Sequence, residues 1–175
     1  MRILGIDPGL KLTGYGLIDW PSAPEHALAP PVLIDAGVIR LDAKSPIASR
    51  LHELERELDS LFEEFKPELC AVEQLYAHYA HPRTAILMGH ARGVILLVAQ
   101  RHGATIKQFA ANRIKQSVAG HGHAGKHQIQ RAIQLTWNLP TPPEPPDVAD
   151  ALAIALCCGR SLHLQNQFDN YQTKA

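Results

Sequence analysis

Three strand-like runs open this chain, and only after them do helical stripes begin to alternate with further strands; that order limits the possible folds more than any other feature of the sequence. Met1–Ile6 reads as a short buried strand closed by a turn at Asp7-Pro8-Gly9, and Thr13–Trp20 and Val32–Leu41 read as two more. The proline-rich connection Pro21–Pro31 lies between these last two and reads as an exposed loop. Ser45-Pro46 marks a helix start, with Ser45 as cap and Pro46 in the first position. Ile47, Leu51, Leu54, Leu58, Leu61 and Phe65 then step by three or four along one face, and the opposite face is acidic. Pro67 ends that helix, and Leu69–Val72 is a short buried strand running into Glu73. Strands in series followed by strands alternating with helices indicate an α/β fold with a mixed sheet.

The second half continues the alternation. From about Arg83 to Arg101 the spacing predicts a helix apolar nearly all round, which needs cover on more than one side, from the fold or from a partner subunit. Gly89, Ala91 and Gly93 would let another helix approach it closely. Ala104–Ala110 reads as a strand, and helices follow near Asn112–Val118 and Lys126–Trp137, separated by a loop with glycine and histidine at 120–125. Pro140–Pro146 delivers a last helix from Asp147 to about Cys158, after which a polar tail is expected to fray. The expectation is one domain over residues 1–160 and a flexible tail over 161–175. At 175 residues and 46% hydrophobic, the chain can build one core but not two comfortable ones.

The longest wholly apolar run, Val94–Ala99, is far too short to cross a membrane, and Asp7 interrupts any signal-like start. The expected location is therefore the cytoplasm, with no membrane partner. Cys70, Cys157 and Cys158 make neither a disulfide framework nor a zinc spacing, and read as small core residues.

Formal net charge is zero, which taken alone argues against a nucleic-acid partner. Its distribution argues the other way. Thirteen of the 17 acids fall in residues 1–73, and none occurs from Gln74 through Pro143, a stretch with eight Lys and Arg and seven of the 10 histidines. An acid-free segment lowers the cost of approaching a polyanion, because phosphate contacts gain from counterion release and lose from nearby carboxylates.

Four acids stand at the edges of apolar elements. Asp7 lies where a buried strand gives way to a Pro-Gly turn, and Glu73 ends another buried strand, the place where α/β sheets bind ligands. Asp147 and Asp150 are three apart in the first turn of a helix and so project from one face. Two-metal phosphodiester hydrolysis wants such a set: carboxylate oxygens clamp two Mg²⁺ ions about 4 Å apart, one activating water and the other steadying the leaving oxygen. Each acid also has a plain alternative. Asp7 can close its turn, Glu73 can pair with a base, Asp147 can cap the helix, and Asp150 can complement its dipole.

The residues around these acids decide between the readings. Leu4-Gly5-Ile6-Asp7-Pro8-Gly9 followed by Thr13-Gly14-Tyr15-Gly16, Ala71-Val72-Glu73-Gln74, and Gly89-His90-Ala91-Arg92-Gly93-Val94 come in order. Lys115-Gln116-Ser117-Val118-Ala119-Gly120, Lys126 and the run Asp147–Ala155 follow. From residue 2 to about residue 158 the chain resembles the RuvC family of Holliday-junction resolvases. That resemblance implies a ribonuclease-H-like fold and a homodimer that nicks a four-way DNA junction symmetrically in recombination and repair, leaving 5′-phosphate and 3′-hydroxyl ends. It carries catalytic and metal-binding roles onto Asp7, Glu73, Asp147 and Asp150, with Mg²⁺ or Mn²⁺ as cofactor. It makes Lys115 and Lys126 phosphate contacts and gives Tyr76 a place against junction bases, a role that stacking suits. It also implies coupling to a branch-migration motor of the RuvA–RuvB type.

Two segments depart from the family pattern. Tyr76–Pro82 replaces a more typical lysine- and asparagine-containing loop and is a residue longer, and Pro21–Pro31 is longer than usual. His121, His123 and His127 could be read as a transition-metal site, but a glycine-hinged loop lying along phosphates fits better, and His78 and His81 read as solvated or DNA-facing. The rival functions are an RNA-processing nuclease on the same fold, a non-catalytic junction-binding module, and an ATPase sharing the opening strand and aspartate. The lysine blocks, the four intact acids and the scarcity of glycine-rich phosphate loops weigh against each in turn.

Overall fold

The computed structural model describes residues 1–21, 29–75 and 82–172. Its elements follow the predicted order: β1 (Arg2–Asp7), β2 (Leu12–Asp19), β3 (Val32–Arg40), α1 (Ile47–Phe65), β4 (Leu69–Glu73), α2 (Pro82–Arg101), β5 (Thr105–Phe109), α3 (Ala111–Ala119), α4 (Lys126–Thr136) and α5 (Pro146–Gln172). The strands form one sheet in the order β3-β2-β1-β4-β5. β2 runs antiparallel to β1 and β3, whereas β1, β4 and β5 are mutually parallel, so the sheet is mixed.

Helices cover both faces, and alternation along each strand sorts the core into two layers. Leu4, Ile6, Cys70 and Val72 meet α1 and α2 on one face. Ile3, Leu69, Ala71 and Phe109 meet α3, α4 and α5 on the other. This double cover is why β1 and β4 read as continuous apolar runs. Burying side chains such as Ile3, Leu4 and Ile6 completely is worth about 1.5–3 kcal/mol each. The three cysteines are free and buried, as their surroundings predict.

Four local findings depart from or refine the sequence reading. Ser45 does not cap α1: Pro46 holds the cap position with no side-chain bond, and the Ser45 hydroxyl donates to Asp42, whose carboxylate also accepts the Lys44 amide. A nearby Asx turn thus captures the hydroxyl that a cap would use. Phe62, one step off the predicted stripe, is buried in α1 and stacks on His102. α5 does not stop near Cys158 but runs on to Gln172. The apolar helix α2 is covered on one side only: Ala91, Ile95, Val98 and Ala99 are buried, whereas Ile86 and Leu97 are each 61% exposed, and nothing stands within 4 Å of a Cβ built on Gly89 or Gly93.

The packing that matters most for the site is α5 against β1 and β2. A Cβ on Gly5 would lie 2.3 Å from the Ala151 carbonyl oxygen, and one on Gly14 would lie 2.1 Å from that of Asp147. Side chains at these two positions would hold the helix off the sheet; without them its first turns rest on the strands. Among the described residues, no helix is long and apolar enough to cross a membrane.

Candidate active site

Strand parity fixes where the acids on the sheet point. Ile3 pairs with Leu69 in the parallel β1–β4 ladder, and Asp7 and Glu73 each lie four residues further on. Both side chains therefore project from the same face as Ile3 and Leu69, the face that carries α5, from neighbouring strands roughly 4.8 Å apart. Asp147 and Asp150 meet them from above, in the first turns of α5, where its close seat on Gly14 and Gly5 brings the helix backbone down onto β1 and β2.

Electrostatics report this convergence. Burial, and then the nearby Asp150, Glu73 and Asp147, raise the Asp7 carboxyl to about 8, with Lys126 opposing. Glu73 is raised by burial and by Asp150, and Lys115 opposes. Asp150 is also raised by burial, with Lys126 and Lys115 pulling down and Asp147 pushing up. Like charges sharing a partly desolvated space cannot all ionise without a cation.

Lys115 and Lys126 come from α3 and α4 and, with Glu73 and Asp150, line a cleft of about 200 Å³ whose walls include Ile114 and Ile129. Larger concavities lie elsewhere, about 750 Å³ beside Trp20 and about 770 Å³ between β3 and the Pro140–Pro145 segment. In the first, Asp19 and Glu68 face Arg2 and the N-terminal ammonium, and a further groove of about 470 Å³ holds Glu53, Glu57 and Glu64 beside Arg40. What singles out the small cleft is its pair of carboxylates raised by burial, Glu73 and Asp150.

The donor set suits a hard divalent cation. Four carboxylates against two ammonium groups leave an excess of two negative charges, and oxygen ligands are what Mg²⁺ and Mn²⁺ prefer. Among the described residues, no three His, Cys, Asp or Glu side chains already converge tightly enough to form a finished ligand cage. The histidines His121, His123 and His127 likewise form no cluster.

The remaining sequence calls divide. Tyr76, His78 and His81 lie outside the described residues. Of the basic residues in the acid-free segment, Arg101 is spent on α1, where it pairs with Glu55 and Asp59, and Arg92 donates to Gln108. Arg113 lies over the Phe109 ring and donates to Ser161. Sequence reading missed Thr13, the one buried polar residue among those described.

Relatives carry the same architecture. The profile of the family described as "Crossover junction endodeoxyribonuclease RuvC" matches residues 3–158. A protein of that name from Rhodopirellula baltica is 46% identical over 155 residues, covering 89% of this chain and 84% of its own. One from Alkaliphilus metalliredigens is 39% identical over 168 residues, covering 96% and 98%. The solved structure "T. thermophilus RuvC in complex with Holliday junction substrate" superposes with a TM-score of 0.84 at 28% identity, covering 94% of this chain and 96% of that one. The yeast mitochondrial resolvase Ydc2, at 16% identity and a TM-score of 0.68, shares the fold over 99% of this chain and 86% of its own. The mixed sheet with helices on both faces is thus the ribonuclease-H-like fold of these resolvases. With matching sequence over most of its length and matching topology throughout, this chain belongs to the RuvC family of crossover junction endodeoxyribonucleases.

Proposed function

We propose that this chain resolves four-way DNA junctions as a structure-selective endodeoxyribonuclease, nicking two strands symmetrically and leaving 5′-phosphate and 3′-hydroxyl ends that a ligase can seal. The observation that carries this reading is the electrostatic coupling of Asp7, Glu73, Asp147 and Asp150, from β1, β4 and α5, beside a cleft lined by Glu73, Asp150, Lys115 and Lys126. The substrate is taken from the relative whose structure is described with a Holliday junction.

The cofactor we assign is Mg²⁺, two ions per site, with Mn²⁺ able to substitute, and the four carboxylates would hold it. When bound, such ions supply Lewis acidity at phosphorus and a water of lowered pKa. The chain's own groups do the rest. Asp7, raised to about 8, must give up its proton before it can hold a cation, so cation entry and proton release are linked. Lys115 and Lys126 offset the acids and hold the phosphate of the cut strand. Tyr76 follows Glu73 closely enough in sequence to meet junction bases.

The assembly we assign is a homodimer, which presents two such sites to the two strands to be cut. The uncovered side of α2, with Ile86 and Leu97 exposed and open space at Gly89 and Gly93, is the face that suits a second copy. Residues 1–160 are assigned to one nuclease domain, acting in the cytoplasm with a branch-migration motor of the RuvA–RuvB type.

Asp7→Asn keeps the shape and removes the charge. It is expected to abolish cleavage while junction binding in chelator, measured by fluorescence anisotropy, is retained. A variant that still cuts, or that no longer binds the junction, contradicts these roles.

A further inference from the structure

Thr13 has no contact with solvent: it is 0% exposed, at the second position of β2. Burying a hydroxyl is unfavourable unless it is fully hydrogen-bonded, and a valine of the same shape would sit in this layer more cheaply. The hydroxyl finds both its partners in one residue. Thr13 Oγ1 donates to the Gly9 carbonyl at 2.6 Å and accepts from the Gly9 amide at 3.3 Å. It thereby closes the turn that follows Asp7. The turn is tight, since a Cβ on Gly9 would lie 1.9 Å from the Leu12 carbonyl oxygen.

The position of this clamp in the ladder gives it a consequence. Asp7 is paired with Gly14, the last rung between β1 and β2. Gly14 is also where the Asp147 backbone rests on the sheet. By alternation, Thr13 points to the opposite face from Gly14 and from the four acids. It touches neither a carboxylate nor the cleft, yet it is bonded across the turn that Asp7 begins and adjoins the residue against which Asp147 sits.

We propose that Thr13 is a positioning residue for the cation-binding acids: its hydroxyl locks the Asp7–Leu12 turn and so sets the separation between Asp7 and Asp147. This rests on the reading of the four carboxylates as a cation site. A rigid backbone at this joint matters because two carboxylates on different elements must meet the same ion, and outer contacts that orient metal-binding groups contribute to affinity without touching the metal.

The test compares wild type with Thr13→Val, Thr13→Ala and Thr13→Ser. Three quantities are read: Mn²⁺ binding to the protein alone by titration calorimetry, junction affinity in chelator, and the thermal midpoint. Loss of the hydroxyl in the Val and Ala variants is expected to weaken Mn²⁺ binding roughly 10- to 100-fold. Junction affinity in chelator should be unchanged, and Ser, which keeps the hydroxyl, should restore Mn²⁺ binding most of the way. Folded Val and Ala variants that bind Mn²⁺ like wild type, whatever their melting points, would overturn the proposal. Loss of junction affinity in chelator would overturn it too, as would failure of both variants to fold, which would make Thr13 a determinant of the fold instead. Wild type that binds no Mn²⁺ at all would instead sink the cation-site reading beneath it.

Discussion

Asp7 is where the chain concentrates electrostatic cost. Burial and three neighbouring carboxylates raise it to about 8, and Glu73 and Asp150 shift in the same direction. In the metal-free protein the folded state therefore holds these protons more tightly than the unfolded chain does. The resulting stability is fully present below the unfolded carboxylate pKa of about 4 and is lost as pH rises through about 8. Metal-free wild type should accordingly melt lower at pH 8.5 than at pH 5, and Asp7→Asn should raise the pH 8.5 midpoint by on the order of 5 °C while changing the pH 5 midpoint much less. Calorimetric melts at the two pH values check this; equal shifts at both would mean that Asp7 carries no buried charge. That Asp7 ends a buried strand at a turn was legible in the apolar run before Asp7-Pro8-Gly9, although the same pattern also suits an aspartate that only closes the turn. Thr13 was not, because a β-branched residue early in a strand is what any strand would have there, and only the Gly9 contact distinguishes its hydroxyl from a methyl. Ser45 misled for a related reason: a serine before Pro46 matches a cap, and the competing acceptor on Asp42 is apparent only in three dimensions.

At the scale of elements, the site depends on how far α5 comes down on the sheet. Gly5→Ala places a methyl 2.3 Å from the Ala151 carbonyl oxygen and 2.6 Å from the Ala155 amide, backbone atoms that move only if the helix moves. Overpacking of this kind costs about 1–3 kcal/mol. The variant is expected to lose that much in urea denaturation and, at temperatures where it is still folded, to lose cleavage out of proportion, because α5 carries Asp147 and Asp150 away from Asp7. Full activity in a folded Gly5→Ala would contradict the close-packed joint. The strands and the type of every helix were legible from periodicity, as was the pairing of Asp147 with Asp150 on one helical face. Where α5 ends was not. Apolar spacing fades after Cys158, but nothing there stops a helix, since no proline or glycine follows Gly159 and the run to Gln172 is made of helix-tolerant residues.

At the scale of the whole molecule, the charge pattern makes sense only after folding. Acids of the N-terminal half include those of α1, where Glu55 and Asp59 take Arg101, those beside Arg2, and Asp7 and Glu73 at two strand ends. The acid-free segment places Lys115 and Lys126 opposite those strand ends. A net charge of zero therefore conceals a polarised site, and the order of strands and helices predicted the mixed sheet correctly because each face is buried by its own set of helices. The one-sided cover of α2 could not be foreseen from a stripe that is apolar all round. The most direct test of the account is cleavage of a synthetic four-way DNA junction with Mg²⁺, beside a linear duplex and an RNA hairpin of matched length. Paired, symmetric, ligatable nicks in the junction alone are the predicted result; cleavage of the hairpin in preference, or of nothing under Mg²⁺ and Mn²⁺ across several junction sequences, would contradict it.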